Sequence, residues 1–436
     1  MPYVTVPGGA DSNITLSYDS DGTAALARQV AAAISAGLDD PTIQSFNNKS
    51  GLPPTLPAGM TGEFVQSVSG RTPLPAGYDF VVDSAKHAVI FGNGDPNEQV
   101  LAGNGSLTYV AGAGAGSVIA GGGKDKIDIG QSDPGNWLIA LGNGNDTIRA
   151  LGTGNDTVSV GSGKDQIKLG NGGTFLTTHG ADTVLAGSGS ETIDASRSKG
   201  GDVVYGNTSS LDFLAGGGAT VQGGSGSDTV YGGKGMVLFE GGSGGNNYLQ
   251  AGSGRATVVG GGNGDQLFAA GHKEQLLEAA SGNETLSGIG AFGADTFKGG
   301  SGSDQVFGGS GTNTFIAGSG ASTVTANPGA KNLFDFVKGA GGGNETVQGL
   351  TSASQVNIEL SGFGPHEIKY ALDHQTTTDG SVTIKLSDST TVTFLNIASL
   401  SSSNFSLDPG AGKDGFDKDR FGQDWNKFGP PGDHHH

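Results

Sequence analysis

The stretch "LGNGNDTIRALGTGNDTVSVGSGKDQIKLGNGG" (residues 141–173) repeats one phrase three times. The copies begin at Gly142, Gly152 and Gly161, and each has two glycines one residue apart, then an aspartate, then an apolar residue. Alternate glycines permit positive φ and a tight turn, whereas the Asp-Thr-apolar segment has the period-two pattern of a short strand. The pattern predicts strands and turns that wind into a parallel β-solenoid.

A unit of nine or ten residues cannot bury its single apolar side chain alone, so successive units must stack. The phrase returns near residues 121, 224 and 300, with degraded copies between them. An array from 89 to 350 would hold about 14 coils of two strands and form a rod roughly 65 to 70 Å long. The predicted interior ladders contain Ile127, Ile148, Val158, Ile167, Val184, Ile193, Val230, Phe297 and Val306.

The composition narrows the class of protein. Of 436 residues, 83 are Gly and none is Cys, and the formal net charge is −19. An acidic surface repels phosphate, which argues against nucleic acid as a partner, and no apolar run is long enough for membrane insertion. The first 22 residues lack the basic and apolar regions of a Sec-type signal peptide.

The aspartates of the repeat are predicted to stack. Equivalent positions in successive coils pair Asp146 with Asp165, Asp165 with Asp182, and Asp228 with Asn246, which are 19, 17 and 18 residues apart. Stacked carboxylates repel one another in a dry turn, whereas a hard cation bound by their oxygens and by glycine carbonyls would cross-link them. Ca²⁺ is the expected ion.

The recurring phrase resembles the RTX (repeats-in-toxin) family, whose consensus G-G-x-G-x-D-x-apolar-x forms a calcium-loaded parallel β-roll. The resemblance covers most of residues 89–350 and implies an all-β fold with Ca²⁺ as cofactor. A solenoid without metal is the alternative where Asp is replaced, at Glu191, Asn246, Ala256, Asn313, Ser322 and Glu345, so calcium binding should be patchy. The predicted metal ligands are Asp125, Asp146, Asp156, Asp165, Asp182, Asp228, Asp295 and Asp304.

Residues 1–88 are predicted to form a small α+β cap that seals the first coil. The text "DGTAALARQVAAAISAGLDD" (residues 21–40) has the features of a helix. Asp21 or Thr23 could cap it, and Gly37 could stop it. Leu26, Val30 and Ile34 form an apolar stripe, which we assign to the core.

Residues 351–407 are predicted to form a C-terminal β cap. Val382, Ile384 and Leu386 alternate with polar residues, and Val392 and Phe394 resume the alternation, as in a hairpin. The hairpin and the Leu-Ser-x-x-Asn-Phe ending at 400–405 resemble the C-terminal region of proteins exported by type I secretion machinery. A generic solenoid cap is the alternative, and both roles can coexist. A charged Gly/Pro-rich tail follows at 408–436, in which His434 to His436 are assigned no native metal site.

No catalytic motif is found. The histidines do not have the His-Glu-x-x-His spacing of zinc proteases, and no Gly-Lys-Ser/Thr phosphate loop occurs. The letters of a serine-hydrolase elbow, G-x-S-x-G, occur at 241–245, but they fall on the repeat beat and no helix follows. The chain is therefore predicted not to be an enzyme.

The sequence as a whole predicts a secreted, calcium-dependent structural protein of a bacterial surface layer, filament or biofilm matrix. Such a protein would form a homo-oligomer or polymer. The alternative is an RTX adhesin that binds cell-surface polysaccharide, for which Phe64, Tyr78 and Phe80 could stack on sugar rings. A secreted RTX-linked enzyme is the third hypothesis.

Overall fold

A computed structural model describes residues 1–8, 12–39, 43–131, 133–207, 209–340 and 342–408. Apart from Asp408, the predicted tail at 408–436 lies outside the described residues. Neither α-helix in the described part of the chain is both long and apolar enough to cross a membrane.

The chain opens with an N-terminal element of two antiparallel strands and a helix, β1 (Tyr3–Gly8), β2 (Ser12–Ser17) and α1 (Asp21–Leu38). A parallel β-solenoid of about 16 turns follows, as predicted. Each coil gives one strand to each of two facing sheets, named here the even sheet and the odd sheet after the numbers of most of their strands; β3 and β37 belong to the even sheet.

The even sheet runs in the order β3 (Ile43–Asn47), β4 (Thr61–Gln66), β6 (Phe80–Asp83), β8 (Pro96–Ala102), β10 (Ala115–Ile119), β12 (Trp137–Ala140), β14 (Asp156–Ser159), β16 (Thr174–Thr177), β18 (Glu191–Ala195), β20 (Leu211–Ala215), β22 (Thr229–Tyr231), β24 (Tyr248–Gln250), β26 (Gln266–Phe268), β28 (Thr285–Ser287), β30 (Gln305–Phe307), β32 (Thr323–Thr325), β34 (Asn344–Gln348), β38 (Thr391–Phe394), β37 (Ser381–Lys385) and β36 (Thr376–Thr378).

The odd sheet runs in the order β5 (Gly70–Pro73), β7 (His87–Phe91), β9 (Ser106–Val110), β11 (Lys126–Ile129), β13 (Thr147–Ala150), β15 (Gln166–Leu169), β17 (Thr183–Leu185), β19 (Gly201–Tyr205), β21 (Gly218–Gln222), β23 (Val237–Glu240), β25 (Ala256–Val259), β27 (Gln275–Glu278), β29 (Ala294–Lys298), β31 (Thr312–Ile316), β33 (Lys331–Val337), β35 (Ile358–Ser361) and β39 (Phe405–Asp408).

A single apolar interior runs through the solenoid between the two sheets. All nine residues predicted for the interior ladders are at most 3% exposed, from Ile127 to Val306. Leu56, in the loop between β3 and β4, covers the interior at one end beside Tyr78. The second helix, α2 (Glu367–Asp373), contributes Ala371 at the other end.

The solenoid begins earlier than predicted. Strands β4 and β6 already pair in parallel within the segment that the sequence assigned to a cap, and β5 pairs with β7 in the same way. These first coils lack the glycine-aspartate phrase, so their period-two strands carried no signal of a solenoid. The boundary expected at residue 89 is corrected to β3, at Ile43–Asn47.

The N-terminal element lies on the side of the solenoid and does not seal its end. Helix α1 buries Ala27, Val30 and Ile34, whereas Leu26 is only partly buried. This face packs on the outer face of the even sheet, against Val65, Val82, Leu101, Ile119 and Ala140. The helix cap is Ser20, whose Oγ accepts a 3.0 Å hydrogen bond from the Thr23 amide, and the helix continues through Gly37 to Leu38.

The predicted C-terminal hairpin is confirmed. Val382 is paired with Phe394 and Ile384 with Val392, and all four side chains are buried. Strand β38 also pairs in parallel with β34, so the hairpin closes the even sheet. The Leu-Ser-x-x-Asn-Phe ending is built into the last coil, where the side-chain Nδ2 group of Asn404 donates to the carbonyls of Ala353 and Val356.

Candidate metal centre

Five aspartates form a continuous ladder along one edge of the odd sheet, each just before or within a strand. We name them the odd ladder: Asp125, Asp146, Asp165, Asp182 and Asp202. In every step, Oδ1 of one aspartate accepts a hydrogen bond from the backbone amide of the aspartate in the preceding coil, at 2.7 to 3.0 Å. The ladder therefore holds its carboxylates about one coil, roughly 4.8 Å, apart.

In four of the five aspartates the second carboxylate oxygen is buried and receives no hydrogen bond, whereas Oδ2 of Asp182 accepts one from the Gly180 backbone amide at 3.3 Å. No donor among the described residues reaches Oδ2 of Asp125, Asp146, Asp165 or Asp202. A buried carboxylate oxygen left without a donor is costly, and a row of them is more so because like charges repel. Carboxylate oxygens are typical ligands of hard cations, and a bound cation would remove the cost of burying them without a donor.

The pKa values of the odd-ladder aspartates are raised, because burial disfavours the charged carboxylates. Burial, with a smaller contribution from the neighbouring Asp146 carboxylate, raises the pKa of Asp125 from 3.8 to about 8. Burial likewise raises the pKa of Asp146 and of Asp202 to about 6. Burial, with the facing Asp182 carboxylate, raises the pKa of Asp165. Without a cation, the folded ladder favours protonated carboxyl groups.

A second row of polar side chains, the even ladder, follows the equivalent edge of the even sheet in the C-terminal half: Asp228, Asn247, Asp265, Glu284 and Asp304. Its oxygens are better satisfied than those of the odd ladder. Oδ2 of Asp265 accepts from the amides of Gly261 and Gly262 at 2.7 and 3.0 Å, and Oδ2 of Asp304 accepts from the Gly300 amide at 2.9 Å. Only Oε1 of Glu284 is buried without a donor in the described part of this row.

The acidic row changes sides in the middle of the solenoid. After Asp202, the odd-sheet position is taken by Ala219, Val237 and Ala256. On the even sheet the continuous polar row begins at Asp228, after Leu211 in the preceding coil, whereas Asp156 and Glu191 are isolated acidic residues in earlier coils. The two continuous rows therefore lie on opposite edges, one in each half of the rod.

Side-chain amides take the place of a cation where the aspartate is replaced. The Nδ2 group of Asn247 donates to the carbonyls of Gly241 and Gly244, both at 3.0 Å. The Nε2 group of Gln275 donates to the carbonyls of Gly252 and Gly254 at 2.8 and 2.9 Å. These loop carbonyls are satisfied by neutral donors, so such coils need no metal.

The structure sorts the eight predicted ligands into three groups. Asp125, Asp146, Asp165 and Asp182 stand together in the odd ladder, and Asp228 and Asp304 belong to the even ladder. The other two have no aspartate at the equivalent position of the neighbouring coils.

Asp156 and Asp295, the remaining two predicted ligands, belong to neither ladder. Asp156 lies between Trp137 and Thr174, and its Oδ1 accepts from the Trp137 amide. Asp295 lies between Gln275 and Asn313, and burial raises its pKa to about 7.

Three positions differ from the sequence analysis. Asp228 donates its amide to Asn247 rather than to Asn246, because Asn246 adopts a positive φ of 61° in the loop. Asp202 was missed because the loop before it departs from the glycine beat. Asp265 was missed although its glycine text, "GGGNGD", was a usable signal with one residue deleted.

Among the described residues, no three Asp, Glu or His side chains converge on one point. A cation in the ladders must therefore take backbone carbonyls as further ligands. The glycine loops supply them, since Gly123, Gly144 and Gly163 stack in parallel register beside the odd ladder.

Comparison with protein families matches the RTX calcium-binding nonapeptide repeat, in four copies, at residues 142–176, 212–235 and 289–324. The solenoid is an RTX β-roll. No curated protein and no solved structure is significantly similar to the chain. The matched segments include parts of both ladders.

Calcium is the ion that RTX nonapeptide repeats bind, and the residues present fit it. Hard cations of this kind take six to eight oxygen ligands in flexible geometry, which carboxylates and loop carbonyls can provide. The donor-free oxygens at Asp125, Asp146, Asp165 and Asp202 make the odd ladder the stronger candidate of the two. Proteins with RTX repeats are typically secreted.

Proposed function

We propose that this RTX protein is a structural subunit of a bacterial cell surface or extracellular matrix that folds on calcium after export and then self-assembles. The observation that supports it is the odd ladder, in which four of five successive aspartates have a buried carboxylate oxygen without a donor. Such an array is unfavourable without a cation and is stabilised by one.

The odd ladder makes folding depend on the calcium concentration around the chain. At the low calcium level of a cell interior, the carboxylates repel and the chain stays unfolded, which suits passage through type I secretion machinery. Outside the cell, Ca²⁺ binds only the coiled state and stabilises it by mass action. Sites of extracellular modules bind calcium at about 10⁻⁴ to 10⁻³ M, which matches such a switch.

The ends of the two sheets support the assembly half of the proposal. In the described part of the chain, β3 and β5 are each paired on one side only at one end, and β36 and β39 at the other. Strands with one open side are templates for further pairing. Pairing of one end with the other would be head-to-tail, and a head-to-tail contact that does not close produces a filament.

Strand β36 offers the sharpest test of this contact. Its three threonines are exposed, and it turns into β37 through Asp379 and Gly380, both of positive φ. Thr378 and Ser381 flank this two-residue turn, so by the alternation of antiparallel pairs the Thr377 amide faces away from β37. A proline at residue 377 would therefore remove an outward donor and keep the hairpin.

The experiment is light scattering of the calcium-stripped full chain as calcium is restored through the millimolar range, with electron microscopy of the product. We expect monomers to grow into large particles that a chelator disperses. Thr377→Pro should slow or abolish growth, and Thr377→Ala, which loses the same side-chain bond to the Ala398 carbonyl, should assemble normally. A wild-type chain that folds on calcium but remains monomeric would refute self-assembly.

A second candidate function, binding of cell-surface polysaccharide, is favoured by an aromatic row on the outer face of the even sheet. Tyr231, Tyr248 and Phe268 lie on three consecutive strands with ring centroids 5.5 and 4.8 Å apart. Gln250 and Gln266 lie beside them as hydrogen-bonding groups. The aromatics named from the sequence do not serve, because Phe64 and Tyr78 are fully buried and Phe80 packs near α1.

A glycan array tests this candidate directly. If the row binds sugars, Tyr248→Ala and Phe268→Ala should each weaken binding by about tenfold or more, since stacking on an aromatic ring is lost. Phe175→Ala is the matched control, because Phe175 is 47% exposed on the same sheet and away from the row. Absence of any glycan signal from the wild-type chain would exclude the candidate.

A further inference from the structure

Asp19 lies in the connection between β2 and α1 and reaches into the glycine loops of the solenoid. Its Oδ2 accepts a 2.6 Å hydrogen bond from the backbone amide of Asn143, 124 residues away in sequence. Gly122 and Gly142 make room for it: a Cβ at Gly122 would come within 2.6 Å of Oδ2, and one at Gly142 would overlap Oδ1. The N-terminal element thus places a carboxylate between two loops of the first RTX coils.

The other oxygen of Asp19 is left without a partner. Oδ1 is buried and has no hydrogen-bond donor among the described residues. The same holds for Oδ2 of Asp125 and of Asp146, the aspartates of these two loops, which are 2% and 1% exposed. The carbonyl oxygen of Asn143 lies beside the loop as well, 3.2 Å from where a Cβ of Gly122 would be.

These three carboxylates have no counter-charge from the protein. The ion pairs in the described part of the chain involve Asp128, Glu274, Glu278 and Asp373, and none of them involves Asp19, Asp125 or Asp146. Like charges so placed oppose one another unless a cation lies among them.

We propose that Asp19 is a calcium ligand that fastens the N-terminal element to the first coils of the odd ladder. The site combines the Asp19 carboxylate, from outside the repeats, with loop carbonyls such as that of Asn143, next to the coils in which Asp125 and Asp146 also have donor-free oxygens. The proposal rests on calcium binding by the RTX repeats and is independent of self-assembly.

The consequence is a calcium-dependent docking of the whole N-terminal element. Helix α1 and the β1–β2 hairpin cover an apolar stripe on the even sheet that includes Val65, Val82 and Leu101. Burial of this stripe favours docking, whereas repulsion at Asp19 opposes it without calcium. Calcium removes the opposition, so docking of the helix follows loading of the first coils.

Amide hydrogen exchange of the full chain against free calcium tests the proposal. The wild-type protein is compared with Asp19→Asn, which keeps an acceptor for the Asn143 amide and removes the charge. Asp21→Asn is the matched control, because Asp21 is exposed at the first turn of α1, two residues away. We expect protection of α1 to rise with calcium in the wild-type chain and in Asp21→Asn. In Asp19→Asn the midpoint for α1 should move about tenfold higher, the effect of one lost charged ligand, with the midpoint of β22–β30 unchanged.

Two results would overturn the proposal: full protection of α1 in chelator, or an Asp19→Asn midpoint equal to the wild-type one. If α1 of Asp19→Asn stays unprotected at every calcium concentration, native mass spectrometry decides. One calcium fewer than wild type supports the assignment, and an equal number refutes it. A chain whose ladders and helix all ignore calcium would refute the proposal together with the calcium-dependent fold.

Discussion

The backbone amide of Asp146 donates a 2.7 Å hydrogen bond to Oδ1 of Asp165, one coil further along the solenoid. This bond fixes the Asp165 carboxylate and leaves its Oδ2 buried without a donor. One oxygen is therefore used for the fold and the other is free for a cation. The two roles can be separated by substitution.

Asp165→Asn should change stability in opposite directions with and without calcium. Asparagine can keep the Oδ1 acceptor for Asp146, and it removes one charge facing Asp182. In chelator the variant should retain more β-structure than wild type, because repulsion is relieved. With calcium it should melt lower and need about tenfold more calcium for half-maximal folding.

Circular dichroism in chelator and thermal melts in calcium measure this reversal. Asp212→Asn is the control, since Asp212 is exposed on the outer face of β20 and makes the same charge change. A stability change of the same sign in chelator and in calcium would show that Asp165 is not a ligand.

Protons should partly replace calcium. Burial raises the pKa of Asp125 to about 8 and that of Asp146 to about 6, from an ordinary value of 3.8. Between about pH 4 and pH 8 the folded calcium-free chain therefore binds more protons than the unfolded chain, and its stability falls as pH rises. In chelator we expect more β-structure at about pH 5.5 than at pH 8. A calcium-free chain that gains structure with rising pH would contradict this.

Asn247→Asp should convert a metal-free coil into a calcium-dependent one. The Asn247 Nδ2 group donates to the carbonyls of Gly241 and Gly244, and a carboxylate oxygen there would repel both. The variant should need more calcium than wild type to fold, reach full β-structure at millimolar calcium and bind one more ion by native mass spectrometry. Asn246→Asp is exposed and makes the same charge change, so it should have little effect. The same calcium dependence in Asn247→Asp and Asn246→Asp would contradict the prediction.

The aromatic interior near the C-terminal end should be sensitive to truncation. Phe315 is stacked between Phe297 and Phe334, with ring centroids 5.4 Å apart on both sides. Phe315→Ala should lower the free energy of unfolding by about 3 to 5 kcal/mol, measured by denaturant titration in calcium. Phe175→Ala, at an exposed position, should change it by no more than about 0.5 kcal/mol.

The sequence predicted the solenoid and most of the odd ladder because both depend on local spacing. The glycines set the loops, and the separations of Asp146, Asp165 and Asp182 match one coil each. Loop conformation could not be predicted from the spacing, so Asn246 was assigned to the row in place of Asn247. The longer loop before Asp202 breaks the repeat spacing, so Asp202 was not predicted as a ligand.

Long-range contacts could not be predicted either. The first coils have alternating apolar residues but no glycine-aspartate phrase, so they were assigned to a cap. Helix α1 was predicted correctly as a helix, yet its place on the outer face of the even sheet depends on residues up to Ala140. Nothing in the text around Asp19 indicates that its partner is the Asn143 amide.

Calcium binding and folding of the odd ladder should be one coupled event. Far-UV circular dichroism of the full chain at pH 7.5, in chelator and then with calcium added to about 10 mM, tests it most directly. We predict little β-structure in chelator and its recovery at about 10⁻⁴ to 10⁻³ M calcium, with no recovery in equal magnesium. A β-spectrum that is unchanged by chelator would contradict the account.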